Sequence, residues 1–386
     1  MANASRSLES ASLLIRKAID MAKLDKLSIR GFKSIEKLEG FELQSLNVII
    51  GANGAGKSNF VDFFRLLRAM VERRFQAYVA THGPADGYFY NGVSFTKKIE
   101  VDLLFGDNRY IFELETSSEG NILISEHTQY VPKGNLKRIS NRVKESALPE
   151  CKDDQGLMAQ RGPNWYVWDS VSSWKVYHFH DTSMTAGMRR EIGVDQSGVL
   201  QPDASNLAAY LLNLRNAHRR HYDLLCKTIR RIAPYFDDFD FHITEAAPEN
   251  RVRLRWRKKG TDYIFSPGHF SDGTIRFLCL AAALLQPDPP KTIVLDEPEL
   301  GLHPEALSIF GGLVRSASAS TQIILATQSP VLVNEFEPEQ IITVDLVDGA
   351  TQFNRLDAGK LADWLNEFTV GELWQKGTIQ GGVNHA

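Results

Sequence analysis

Leu46-Asn47-Val48-Ile49-Ile50 runs directly into Gly51-Ala52-Asn53-Gly54-Ala55-Gly56-Lys57-Ser58, and a helical pattern follows as far as about Arg74. An apolar run of this kind reads as a buried strand of a parallel sheet. The glycine-rich turn that follows fits G-x-x-x-x-G-K-S/T, and a strand before it with a helix after it is the context that gives the motif meaning. The glycines let backbone N–H groups wrap a phosphate, and the helix N-terminus adds partial positive charge. Lys57 is expected to reach the β- and γ-phosphates of a nucleotide and Ser58 to bind Mg²⁺. Asn53, Gly54, Ala55, Gly56 and Asn59 complete the expected phosphate-binding set. A chance glycine turn is the bland alternative, and the flanking strand and helix weigh against it.

A second strand pattern, Thr292-Ile293-Val294-Leu295, ends in Asp296-Glu297-Pro298-Glu299. Carboxylates at the end of a parallel strand lie where such sheets bind ligands. Asp296 is the candidate for holding the Mg²⁺ shell, and Glu297 the candidate general base for an attacking water. A solvated acidic turn is the alternative. Ser271-Asp272-Gly273 opens a helix pattern, Thr274 to Leu285, just upstream. A Ser side chain, a glycine and free helix N–H groups suit a second anion, although Ser-x-Gly is also a common helix cap. Its position favours the functional reading, in which Ser271 and Gly273 meet the γ-phosphate held by another copy. Leu325-Ala326-Thr327-Gln328-Ser329-Pro330 ends the next apolar strand and brings Gln328 toward the same site.

Taken in order, Ile29-Arg30-Gly31-Phe32-Lys33-Ser34-Ile35, the phosphate loop, Ser271-Asp272-Gly273-Thr274, Leu295 to Pro304 and Ala326 to Pro330 resemble the AAA-15/AAA-21 group of ATPases. These are relatives of the RecF, SMC and OLD ATPases within the ABC class. The resemblance covers residues 24–110 and 260–346 well and the middle more loosely. It implies an α/β fold: an ABC-type P-loop NTPase head with an N-terminal antiparallel β-meander and an inserted helical/β lid. No heptads are present, so no long coiled coil is expected. It further implies ATP and Mg²⁺ as cofactors, a homodimer formed on ATP binding, a signature motif at Ser271 and Gly273, and a D-loop at Leu300 to Pro304. Gln328 stands where many relatives have a histidine. An amide can orient water but cannot carry a proton. Neither Gln76 nor Gln129 stands in a convincing context for the family's Q-loop glutamine.

The expected organisation is an extension (1–20), an ATPase N-lobe (21–130), a lid or variable region (131–265) and an ATPase C-lobe (266–386). Residues 97–126 read as a meander, 131–162 as a long polar loop, 165–179 as strand-like and 205–232 as helical, with two or three strands between Phe239 and Phe265. Lys+Arg is 44 against Asp+Glu 47, a net charge of −3, which argues against a surface coated for nucleic acid. Cys151, Cys226 and Cys279 are scattered and suit a reducing cytoplasm, and no apolar run is long enough to span a membrane. His178-Phe179-His180 reads as structural rather than metal-binding. Arg251, Arg253, Arg255 and Arg257 alternate onto one strand face, either against a phosphate backbone or as a solvated face beside Asp237, Asp238 and Asp240.

Two functions compete: a nucleotide-gated dimeric ATPase switch driving a separate effector, in anti-phage defence by resemblance, and a DNA-binding RecF/SMC-like maintenance ATPase. The stretch after Pro330 is shorter than the TOPRIM nuclease of OLD-type relatives, so a separately encoded effector is expected.

Overall fold

The computed structural model describes residues 23–153, 162–245, 249–379 and 381. The expected extension over 1–20 lies outside them. Strands β1 (Lys26–Phe32) and β2 (Ile35–Glu42) form a hairpin, and β3 (Leu46–Gly51) leads into the helix Lys57–Val71. The meander follows as β4 (Lys98–Phe105), β5 (Asn108–Thr116) and β6 (Ile122–Tyr130), then β7 (Leu136–Val143). Short strands β8 (Lys175–Tyr177) and β9 (Ile192–Gly193) precede the helices Leu207–Ala217 and Arg219–Ile232. Next come β10 (Phe236–Thr244), β11 (Arg251–Lys258), β12 (Ile264–Phe265) and the helix Asp272–Leu284. The chain continues through β13 (Thr292–Asp296), the helix Pro304–Ala317, β14 (Gln322–Thr327), β15 (Ile341–Val347) and β16 (Ala350–Arg355).

The central sheet has the order β16-β15-β3-β14-β13-β8 and is parallel except for β16. Alternation along its strands divides the core in two. Ile49, Val294 and Ile324 pack with the helix Lys57–Val71 and the N-terminal antiparallel sheet, order β2-β1-β4-β5-β6-β7. Val48, Ile50, Ile293, Leu295, Ile323 and Leu325 face the opposite way. There they meet Leu211, Ile229, Phe277 and Phe310 from the helices on that side. Strands buried on both faces read as continuous apolar runs for this reason.

The structure departs from the sequence reading at two segments. The polar stretch 131–162 is not a loop throughout, because β7 adds a strand beside β6. The seam is polar inside: the buried Glu126 carboxylate accepts from Tyr110 Oη at 2.6 Å, Ser140 Oγ at 2.8 Å and the Ala147 N–H at 2.8 Å. Apolar alternation therefore gives no sign of it. The aromatic stretch from Trp165 is a helix, Pro163–Ser173, and only Lys175–Tyr177 is strand. Pro163 at the first helical position has the φ a helix start needs, whereas aromatic content alone suggested a strand. The helical region 205–232 is two helices that break at His218. Among the described residues the longest helix, Lys57–Val71, has 15 residues, and no helix is long and apolar enough to cross a membrane.

Candidate functional site

The C-terminal ends of β3, β14 and β13 converge, and the residues singled out by the sequence sit on the turns leaving them. Gly54 (φ +81°) and Gly56 (φ +111°) take left-handed backbone that lets the loop curl before the helix. A side chain at Gly56 would strike Thr351 and Ser34. Thr351 Oγ1 donates to the Ala55 carbonyl at 3.0 Å and lies 2.7 Å from Ser34 Oγ, which accepts from Asn59 Nδ2 at 2.7 Å. The loop is thus braced from behind by β16 and by the turn between β1 and β2. Lys57 Nζ donates to the Gly51 and Ala52 carbonyls at 2.7 and 2.9 Å. Burial lowers the Lys57 pKa, opposed by Glu297, Glu299 and Asp296. Those three carboxylates therefore share the electrostatic environment of the lysine.

Asp296 ends β13 with one carboxylate oxygen, Oδ1, buried and unpartnered, and Oδ2 accepting from Arg65 Nη2 at 3.2 Å. A buried carboxylate oxygen without a hydrogen bond carries a desolvation cost that a cation relieves. Ser58 stands exposed on the first turn of the helix. An oxygen-only set of Ser58 and Asp296, completed by water and phosphate, fits Mg²⁺, which keeps several waters and takes few protein ligands. Among the described residues no three His, Cys, Asp or Glu side chains gather as a metal cluster.

Glu297 adopts φ +45°, a strained backbone for a non-glycine residue, and such strain concentrates at functional turns. Gln328 Nε2 donates to Glu297 Oε1, and the Gln328 N–H donates to Glu299 Oε1 at 2.6 Å. The two strand ends are thereby tied together by side chains. Burial raises the Glu299 pKa, the Gln328 N–H opposes this, and Glu297 adds to the rise.

Ser271 caps its helix, with Oγ accepting from the Thr274 N–H at 3.1 Å, so the capping role is filled within the chain. Among the described residues no hydrogen bond joins Ser271 or Gly273 to the phosphate loop of the same chain. Gly273 lies against the Gly301 carbonyl so closely that a Cβ would collide with it. Buried Arg276, one turn on, donates through Nε to the Phe179 carbonyl at 2.8 Å, through Nη2 to the His180 carbonyl at 3.0 Å, and through Nη1 to the Leu300 carbonyl. One guanidinium therefore ties the helix Asp272–Leu284 to Leu300–Gly301 and to the segment after β8.

Several residues near the site carried little sequence signal for it. β8 lies beside β13, so His178 and His180 come next to Asp296. His180 Nε2 is 3.2 Å from the Asp296 carbonyl oxygen, and His178 Nδ1 is 3.4 Å from Arg65 Nη2. Burial lowers the His178 pKa to about 4, helped by His180 and Arg65 and opposed by Glu297, so its ring is neutral at neutral pH. The alternating histidines were visible in sequence, but their neighbour was not. Gln76 lies elsewhere, donating to the Ile122 and Lys144 carbonyls at 2.8 and 2.6 Å. Gln129 also belongs to the antiparallel sheet, opposite Arg109. On β11, Arg255 and Arg257 pair with Asp240 and Asp238 at 2.6 and 3.8 Å.

A family model described as "AAA ATPase domain" matches residues 22–246, and one described as "AAA domain, putative AbiEii toxin, Type IV TA system" matches 189–334. No curated protein matches the chain. Among solved structures, an SmcHead bound to the C-winged helix domain of ScpA is 16% identical, with TM-score 0.58, covering 88% of this chain and 99% of that one. An Smc head domain with an extended coiled coil, bound to the C-terminal domain of ScpA derived from Pyrococcus furiosus, is also 16% identical, with TM-score 0.51, covering 89% and 98%. At that identity the likeness is one of fold, the ABC-type ATPase head. With the first family model spanning more than half of its length, this chain belongs to the AAA ATPase domain family.

Proposed function

We propose that this protein binds ATP with Mg²⁺ and hydrolyses it in a composite site completed by a second copy. The observation that supports this most is the meeting of Lys57, Asp296, Glu297 and Gln328 at adjacent strand ends, with Glu297 and Gln328 hydrogen-bonded to each other. The phosphate loop from Asn53 to Asn59 cradles the phosphates, and Lys57 leaves its carbonyl partners to reach them. Ser58 and Asp296 hold the metal, which neutralises charge on the phosphate oxygens. Glu297 orients and deprotonates the lytic water, and Gln328 holds both that carboxylate and the water. Ser271 and Gly273 supply donors to the γ-phosphate of the other copy, so that ATP closes the dimer and hydrolysis opens it.

The proposed division of labour keeps the N-lobe (21–130) and C-lobe (266–386) as the ATPase, with 131–265 as the lid that passes the change to a separate effector. The two SMC heads were solved with ScpA, a separate protein, and an external partner fits the same plan here. A toxin–antitoxin or anti-phage setting follows the family description at 189–334. The DNA-clamping alternative draws less support, because two of the four alternating arginines on β11 are neutralised by β10 aspartates.

Light scattering on a sizing column tests the switch. Mass should double with ATP and Mg²⁺, most persistently for Glu297→Gln. A mass that stays monomeric with nucleotide in both proteins would refute the composite site.

A further inference from the structure

Beyond the phosphate loop lies a cavity of about 610 Å³ between the helix Lys57–Val71, the helix Phe75–His82 and β8. Small-molecule sites commonly fall between about 300 and 1,000 Å³. None of its lining residues belongs to the phosphate loop. Arg68, on its wall, stands eleven residues after Lys57, about 16 Å of helix rise. The cavity therefore shares no residue with the phosphate loop, although Arg65 and His178 in its wall reach toward Asp296.

Its walls carry an excess of positive charge: Arg65, Arg68, Arg74 and Lys175 against Glu72 and Asp203. The acids are already engaged. Glu72 is shared by Arg68 and Arg74, and Asp203 Oδ1 accepts from the Ser205 N–H at 3.0 Å. Arg65 is occupied by Asp296 and Asp62 at 3.2 and 3.7 Å. Lys175 differs from these. It is half-buried on β8, and among the described residues no carboxylate lies within salt-bridge distance of it. Burial depresses its pKa and the neighbouring Arg68 depresses it further, with Glu72 only partly opposing. A partly desolvated ammonium beside a guanidinium, with no counter-ion of its own, is an unfavourable arrangement that a bound anion relieves. Tyr78 and Val176 supply an apolar wall next to the cations, as sites for organic anions do.

We propose that this cavity is a second anion site, distinct from the phosphate loop. It would take a small phosphate-bearing ligand of nucleoside monophosphate size. The phosphate sits between Lys175 and Arg68, and the organic part lies against Tyr78 and Val176. The site stands whether or not the phosphate loop hydrolyses ATP.

Isothermal titration of the full chain, with AMP and with inorganic phosphate as separate probes, tests it in a Lys57→Ala background that removes the phosphate-loop lysine. One AMP should bind per chain, and adding Lys175→Glu should weaken it at least tenfold. Arg74→Glu, at the exposed rim, should weaken it several-fold and serves as the second variant if Lys175→Glu folds poorly. Phosphate binding lost with the same substitutions identifies the phosphate as the recognised group. AMP binding without measurable phosphate binding shows that the apolar wall contributes as well. If Lys57→Ala binds neither probe, or if neither Lys175→Glu nor Arg74→Glu changes the affinity, the proposal is overturned.

Discussion

Replacing Arg276 by Met should loosen three segments of the site together. The side chain is buried, at 8% exposure, and its guanidinium donates to the carbonyls of Phe179, His180 and Leu300. A hydrogen bond from a charged donor contributes about 1.5–3 kcal/mol, and a buried acceptor left empty costs about 1–3 kcal/mol. The Phe179 bond is fully buried, so its carbonyl bears that loss in full. The other two are partly buried and can recover water, at roughly 0.5–1 kcal/mol each. Together the expected destabilisation is about 2–5 kcal/mol, and the apolar methionine offsets little of it because the surroundings are carbonyls. Arg276→Lys keeps one point donor in place of a fork and should recover only part. Urea unfolding measures the stability change. Steady-state turnover and nucleotide affinity then separate positioning from binding. Arg276 touches no phosphate-loop residue, so turnover should fall while ATP affinity stays near wild type. A stability loss under about 1 kcal/mol, or an affinity loss matching the fall in turnover, would refute its role as a tie between the helix Asp272–Leu284 and Leu300–Gly301.

Gln328→Ala removes the side-chain bond to Glu297 but keeps the backbone N–H to Glu299. Turnover should fall about 10–100-fold with ATP affinity nearly unchanged, roughly the scale of one lost positioning bond at 1.4–2.8 kcal/mol; unchanged turnover would remove Gln328 from the site. Burial pushes the Asp62 carboxyl up, but Lys33 and the Tyr78 hydroxyl outweigh it and hold it below its ordinary value of 3.8. A depressed carboxyl stabilises the fold above its unfolded pKa, and that stability disappears as pH falls through the folded value. Asp62→Asn should therefore lower the urea midpoint at pH 7 and flatten its decline below about pH 4. An equal midpoint loss at pH 7 and at pH 3 would contradict this.

The parallel core was legible because β3, β13 and β14 are buried on both faces, and burial on both faces writes itself as an uninterrupted apolar run. The phosphate loop was legible because only glycine adopts the left-handed turns at Gly54 and Gly56 without strain. β7 was not, because its one fully buried side chain is Ser140, bonded to the buried Glu126, so no apolar alternation marks it. The helix Pro163–Ser173 was not, because aromatic residues suit a strand and a packed helix alike, and packing against the meander decided between them.

For the site, the sequence by itself determined which chemical groups leave the strand ends: Lys57 and Ser58, Asp296 and Glu297, and Gln328. Each is covalently attached to a strand whose place in the sheet follows from its own pattern. Only the tertiary structure decided what those groups meet. The Arg65 contact with Asp296, the Glu299 carboxylate under the Gln328 N–H, the Arg276 fork and the uncompensated Lys175 all join residues far apart in the chain. Such contacts arise from how helices settle on a sheet, which depends on the volume and shape of the whole core and not on any local run of residues.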